Sequence, residues 1–182
     1  MSVTIRSVSR DDAAPIAAIY AHYVTNTAVT FEEVPPDAAE MRARIETVSA
    51  THPWLIAATA DGDLLGYAYG RPYHGRAAYR WTCETAIYLA HDRRGRGTGR
   101  ALYAPLLDTL TDQGFVAAIA SITVPNAESS RFHEALGFTF VGRMTAIGYK
   151  LGRWHDVGYW QRDLGPRSSP PKGLASTGLL QR

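Results

Sequence analysis

Trp81-Thr82-Cys83-Glu84-Thr85-Ala86-Ile87-Tyr88-Leu89 is an apolar, strand-like run that leads into Arg93-Arg94-Gly95-Arg96-Gly97-Thr98-Gly99-Arg100. Beyond this loop Leu102, Tyr103, Leu106, Leu107 and Leu110 recur at helical spacing and make one apolar stripe. A strand, a glycine-rich loop and a helix start bring bare backbone N–H groups and the positive end of a helix dipole to one place, which suits an anion. The flanking arginines add charge-assisted donors of the kind phosphates accept. The segment therefore predicts a strand-to-helix crossover that holds a diphosphate-bearing ligand. Spacing narrows the class: no Gly-Lys-Ser/Thr follows at Walker distance, and Arg100 stands where the third glycine of a dinucleotide fingerprint belongs. Taken alone, the loop is also compatible with a plain glycine-rich turn carrying surface arginines.

On the N-terminal side, residues 3–6 read as a short strand, and Ser9 with Asp12 resembles a capping box. Pro15 is tolerated in a first helical turn, and Ile16, Ile19, Tyr20, Tyr23 and Val24 then repeat at helical spacing. Residues 25–36 are irregular. Asp37 with Glu40 caps a second helix whose stripe is Met41, Ile45 and Val48. Strands at 54–59 and 64–69 flank Asp61-Gly62-Asp63, a hairpin signal, and a polar loop at 71–78 leads into the 81–89 run. On the C-terminal side, residues 116–122 are a fully apolar strand ended by Pro125-Asn126. A helix from about residue 129 stops at Gly137, and residues 138–141 and 157–163 supply closing strands. The order β-α-α-β-β-β-α-β-α-β-β, with a parallel crossover through the glycine-loop helix, predicts a mixed α/β sheet.

At 182 residues and 46% hydrophobic, the chain can bury one sizeable core, so one domain is expected. Nineteen basic residues against seventeen acidic ones give a net charge of +2, too little for a global field toward nucleic acid. The basic residues concentrate at 93–100, a short loop without interleaved aromatics, which favours a local anionic ligand over a nucleic-acid surface. One cysteine cannot form an internal disulfide, no basic-then-apolar leader is seen, and no apolar run is long enough for a bilayer; these features predict a cytoplasmic protein without a membrane partner. Ser, Pro and Gly dominate from Pro166 onward and predict a mobile tail over residues 166–182.

Arg94-x-x-Gly97-x-Gly99 resembles the pyrophosphate loop of the GNAT N-acetyltransferases, and the predicted element order is that family's order. The run from Asn126 to Phe138 resembles the N-x-x-A/S … Y/F-x-x-x-G-F/Y segment beside the pantetheine and thiol end of the cofactor. Trp81-Thr82-x-Glu84-x-x-x-Tyr88, the loop at 72–79 and Gly152-Arg153-Trp154-His155-Asp156-Val157-Gly158-Tyr159-Trp160-Gln161 resemble the phosphinothricin and methionine sulfoximine branch. The resemblance runs over residues 5–164. It implies a single GNAT domain over residues 1–165, a central sheet with splayed middle strands flanked by helices, acetyl-CoA as co-substrate, an amino-acid-like acceptor and a homodimer. It also implies that Ile87, Tyr88, Leu89, Arg94, Gly95, Arg96, Gly97, Thr98, Gly99, Arg100, Asn126, Ser129 and Ser130 hold the cofactor. Phe31, His74, Arg76, Tyr79, Tyr88 and His133 would form the acceptor pocket, with Arg76 facing its anionic head. His74 stands where a lysine is expected in that branch, which removes a permanent charge from the pocket.

An amine that attacks a thioester must lose a proton, so a base within reach matters. Glu84 is the candidate: a carboxylate inside an apolar strand is costly without a partner or a task. The bland alternative is a buried glutamate paired with an arginine. Strand alternation puts Thr82, Glu84, Ala86 and Tyr88 on one face and Cys83, Thr85, Ile87 and Leu89 on the other. Cys83 thus points away from Glu84, which favours direct attack in a ternary complex over an acyl-cysteine route. The resemblance makes Tyr103 the acid for departing coenzyme A; its spacing equally fits a core stripe residue. His133 divides in the same way between the pocket and an exposed helix position. Arg71 reads as a solvated loop charge, and His155 and Asp156 as structural residues. No His/Cys/Asp spacing suits a metal. Two other readings stay open: the same chemistry on another small amino acid or amine, and a non-catalytic acyl-CoA sensor, which would need no buried base.

Overall fold

The computed structural model describes residues 3–91 and 97–175. The chain runs β1 (Val3–Ser7), α1 (Ala13–Asn26), α2 (Ala38–Ser49), β2 (Trp54–Thr59), β3 (Leu64–Pro72), β4 (Thr82–Leu89), α3 (Thr98–Gln113), β5 (Ala117–Val124), α4 (Ala127–Glu134), β6 (Thr139–Lys150) and β7 (Arg153–Asp163), which is the expected order. Among the described residues, seven strands form one sheet in the order β1-β2-β3-β4-β5-β7-β6. Every neighbouring pair is antiparallel except β4–β5, whose parallel pairing follows from the crossover through α3.

The helices begin where side chains can satisfy free N–H groups. The Asp12 carboxylate accepts from the Ser9 N–H at 2.7 Å and is clamped by both terminal nitrogens of Arg6 at 2.8 Å. The Asp37 side chain accepts from the Glu40 N–H at 2.8 Å to start α2, and Asn126 Oδ1 accepts from the Ser129 N–H at 3.1 Å to start α4 two residues before the expected position. Apolar stripes then bury two cores, one on each face of the sheet. Leu102, Tyr103, Leu106 and Leu110 of α3 pack with Cys83, Ala118, Phe138 and Trp160. On the opposite face Ile16, Tyr20 and Val24 of α1 and Met41 and Ile45 of α2 pack on Trp54, Ile56 and Tyr67.

One expectation is corrected. The closing strands, read as residues 138–141 and 157–163, are a long hairpin that continues to Lys150 and resumes at Arg153. Leu151 and Gly152 turn it with φ of 51° and 76°, the left-handed pair that a two-residue hairpin turn needs. Irregularities between Phe140 and Gly142 and between Met144 and Gly148 break the alternation of β6, so its strand character is invisible to a period-two pattern. The segment after Pro166 makes hydrogen bonds to the rest of the fold. Trp81 Nε1 donates to the Lys172 carbonyl at 2.7 Å, and the Ala175 N–H donates to the Gln113 carbonyl at 2.9 Å. Composition cannot register such backbone tethers. Among the described residues no helix is long and apolar enough to cross a membrane.

Candidate active site

β4 and β5 pair only where Thr82, Cys83 and Glu84 face Ala117, Ala118 and Ile119. Beyond that point β4 stays with β3 as far as Leu89 while β5 stays with β7 as far as Val124, so the two central strands part. The Ala90 N–H donates to the Leu65 carbonyl, which places Ala90 on the β3 side; alternation turns the main chain of Ile87 and Leu89 toward the gap. Tyr23 engages Leu89 there, its hydroxyl donating to the carbonyl at 2.7 Å and accepting from the N–H at 3.3 Å. A cavity of about 950 Å³ adjoins the gap, bounded by α2, β3, β4, β5, α4 and β7.

Glu84 lies on its wall with a side chain only 16% exposed, and alternation places its neighbours as expected: Cys83 in the α3-side core and Tyr88 with the α1-side cluster. The carboxylate is not alone. Arg71, directly opposite in the β3–β4 register, donates from Nε at 3.0 Å and reaches with Nη2 to 2.8 Å, both on Oε2. Arg71 is therefore a cavity residue at the end of β3, which corrects its reading as a solvated loop charge: β3 continues to Pro72 and carries it into the sheet. Burial works against its charge, but Glu84 outweighs burial and holds the guanidinium above its ordinary range.

A second ion pair closes the far side. Arg44 of α2 forks onto both Glu32 oxygens at 2.8 and 2.9 Å and also pairs with Glu40; the Tyr20 hydroxyl donates to Glu32 at 2.8 Å. Burial pushes Glu32 upward, yet Arg44 and Tyr20 together hold its carboxyl below the usual range. Phe31 lines the cavity at the place expected, leaning over Gly148 of β6, where a Cβ would overlap its ring. His155 meets the other side of Phe31 at 6.1 Å between ring centroids and bonds the Lys150 carbonyl at 3.0 Å, a structural role like that of Asp156, which accepts from the Ala146 N–H at 2.8 Å.

Tyr103 is fully buried in α3, and its hydroxyl donates to Thr85 Oγ1 at 2.6 Å and lies 3.2 Å from His133 Nε2. It packs in the stripe and stays off the cavity wall, and burial pushes its hydroxyl well above the usual phenol range. His133 is 4% exposed rather than a surface residue. It lines the cavity, its Nδ1 is 2.8 Å from the Ser129 carbonyl, and burial lowers its pKa, favouring the neutral ring. Cys83 is buried with 0% exposure, and burial pushes its thiol up to about 12, the opposite of an activated nucleophile.

Of the other expected residues, Ile87, Tyr88, Asn126 and Ser129 line the cavity, whereas Leu89 and Ser130 do not. Gly97 caps α3 with φ 78°, Thr98 and Gly99 are buried behind it and Arg100 is exposed. Arg94, Gly95 and Arg96 lie outside the described residues. His74, Arg76 and Tyr79 are brought to one another rather than to the cavity. They sit exposed on the loop after β3, where His74 and Tyr79 rings meet at 5.2 Å and Arg76 precedes a one-turn helix at Ala77–Tyr79. The cavity residues that motif reading missed are Arg71, Tyr69, Glu32, Arg44 and Tyr20. Tyr67, Tyr69 and Arg71 alternate on one strand face, a signal for Arg71 that gains meaning once the register opposite Glu84 is known. Glu32 lies in an irregular stretch with no periodic signal.

Residues 5–158 match the acetyltransferase (GNAT) domain family. The chain belongs to the GNAT acetyltransferase family. It is 40% identical over 170 residues to a phosphinothricin N-acetyltransferase of Streptomyces viridochromogenes, covering 93% of this chain and 92% of that one. It is 38% identical over 175 residues to an L-methionine sulfoximine/L-methionine sulfone acetyltransferase of Pseudomonas aeruginosa, covering 94% of this chain and all of the relative. Among solved structures, a GNAT phosphinothricin acetyltransferase from Sinorhizobium meliloti in complex with acetyl-CoA superposes with a TM-score of 0.89 at 38% identity, covering 95% and 94% of the two chains.

Proposed function

We propose that this GNAT protein transfers the acetyl group of acetyl-CoA to the α-amino group of phosphinothricin or methionine sulfoximine, by direct attack in a ternary complex. The observation that carries the reading is Glu84, a carboxylate on the wall of a cavity that adjoins the gap between β4 and β5. The phosphinothricin and methionine sulfoximine enzymes among its relatives, and the acetyl-CoA complex among its structural neighbours, support the substrates.

The residues present fit acetyl-CoA, which supplies an acetyl thioester when bound. The gap-facing main chain of Ile87, the cavity-facing Asn126 and Ser129, and the neighbouring Tyr88, Leu89 and Ser130 are assigned to its pantetheine end. Gly97, with open space on its Cα, Thr98, Gly99 and Arg100 start a helix whose N–H groups suit a diphosphate, together with Arg94, Gly95 and Arg96. Glu84 receives the ammonium proton, directly or through a water; Oε2 is held by Arg71, and Oε1 makes no bond to a described residue. Phe31, Tyr88 and His133 shape the acceptor's surroundings. Tyr103, shut off from the cavity, acts by positioning His133.

Glu84→Gln should lower kcat by ~10²–10⁴-fold, while acetyl-CoA affinity measured by calorimetry stays within about twofold. Full activity in this variant across pH would sink the assignment. The substrate test is thiol release from acetyl-CoA with phosphinothricin, methionine sulfoximine, methionine sulfone, ordinary amino acids and a polyamine. One observation favours a second reading in which another small amino acid is the acceptor. His74, Arg76 and Tyr79, assigned to a phosphinate-bearing head, lie off the cavity of this chain. Selectivity for ordinary amino acids in the same assay would establish that reading.

We also infer that a second copy covers the β6–β7 hairpin. Val141, Met144, Tyr149, Leu151 and Trp154 are each more than half exposed there, an apolar edge that a monomer rarely leaves bare.

A further inference from the structure

The cavity carries two arginines, and they differ in what they have left to give. Arg44 has both of its carboxylate-facing ends engaged: its two terminal nitrogens meet both oxygens of Glu32, and one of them also meets Glu40. Arg71 is not. Both of its contacts fall on one oxygen, Glu84 Oε2, from Nε and Nη2, and Nη1 makes no bond to any described residue. Its side chain is half exposed and lines the cavity. His133, which also lines the cavity, is biased toward its neutral form by burial. Among the described residues, Arg71 is thus the permanent cation of the cavity that keeps a whole terminal nitrogen unengaged, and it stands beside the proposed base.

We propose that Arg71 reads the α-carboxylate of the acceptor, so that the Arg71–Glu84 pair selects a zwitterionic α-amino acid over a simple amine. The proposal rests on the reading of Glu84 as base and deepens it by naming the acceptor class. An α-amino acid carries its ammonium and carboxylate on one carbon, and the protein presents the complementary charges as cross-strand neighbours 2.8 Å apart on one cavity wall. The ammonium finds Glu84, the carboxylate finds the free edge of the guanidinium, and a planar fork suits that carboxylate better than an ammonium would. An amine lacking the carboxylate leaves those donors unanswered. The neighbouring cross-strand pair, Tyr69 opposite Ala86, puts a small residue beside Glu84 on the same wall, where the acceptor must approach.

The test compares methionine sulfone with its decarboxylated amine, 3-(methylsulfonyl)propan-1-amine, in the full-length enzyme with saturating acetyl-CoA. Wild type should prefer the amino acid, and Arg71→Met should reduce the ratio of kcat/KM values by about 10–100-fold, chiefly through the amino acid's KM. Arg71→Lys, which keeps the charge and loses the fork, should fall between them and serves if the Met variant does not fold. An unchanged ratio in both variants overturns the proposal, because a merely structural Arg71 would move both substrates together. Wild-type turnover of the amine but of no α-amino acid overturns it as well. Glu84→Gln, run on both substrates, separates the two readings. Retained kcat there removes the base assignment, whereas loss on both substrates with an unchanged Arg71 ratio removes only the carboxylate reader.

Discussion

A carboxylate in the middle of β4 costs desolvation unless something answers its charge, and Arg71 answers it from the neighbouring strand. The same pairing keeps Oε2 fixed while the cavity stays open beside it, so a structural partner and a chemical task coexist in one side chain. Cys83, one residue away, has the opposite surroundings: it is sealed in the α3-side core with a thiol that burial pushes to about 12. Cys83→Ala should therefore leave kcat within about threefold of wild type in the thiol-release assay, while lowering stability by roughly 1 kcal/mol for the lost packing. A large loss of turnover at preserved fold would revive an acyl-cysteine route. Gly97 is governed by backbone conformation instead. With φ at 78° and nothing near the position of a Cβ, Gly97→Ala should cost about 1–2 kcal/mol of strain at the start of α3. It should also weaken acetyl-CoA binding in calorimetry.

Where elements meet, packing creates titration behaviour that no single residue has. His52, in the turn between α2 and β2, is 6% exposed and stacks against Phe115 at 5.0 Å, and burial lowers its pKa to about 4. Its usual value is about 6.5, so on acidification the unfolded chain takes up the proton first. The corresponding stability is complete above about pH 6.5 and is lost progressively as the pH falls toward 4. His52→Leu should remove this dependence. Between pH 7.5 and 5 the wild-type Tm should drop by roughly 4–8 °C more than the variant's in calorimetry. Equal drops would show that the ring is solvated and not buried in solution.

Across the fold, the β6–β7 hairpin projects an apolar surface that neither core uses, and a second copy is the proposed cover. Wild type should sediment at twice the chain mass, and Met144→Asp with Trp154→Asp should shift it to the monomer at micromolar concentration. A wild-type monomer at high concentration would remove that proposal. The loop bearing His74, Arg76 and Tyr79 is also exposed, so the monomeric variant should be assayed for turnover as well. Unaltered kinetics would show that each cavity works alone.

Much of this architecture was legible in local chemistry. The helix caps at Asp12 and Asp37, the hairpin at Gly62, the crossover after Leu89 and the two faces of β4 all follow from short-range spacing, because a helix or strand imposes its period on neighbouring residues. So did Glu84, since a charge within an apolar run is anomalous wherever the run folds. Arg71 lay beyond that reach. Its neighbours in the chain mark a polar loop, and only the β3–β4 register, set by long-range pairing, places it against Glu84. Glu32 and Arg44 meet across twelve positions, from an irregular stretch into α2, and His133 is buried by an α3 side chain thirty residues away. Period and composition decide which face a residue takes within its own element. Which distant side chains share a cavity is decided by how the elements stack, and stacking is a property of the folded chain alone.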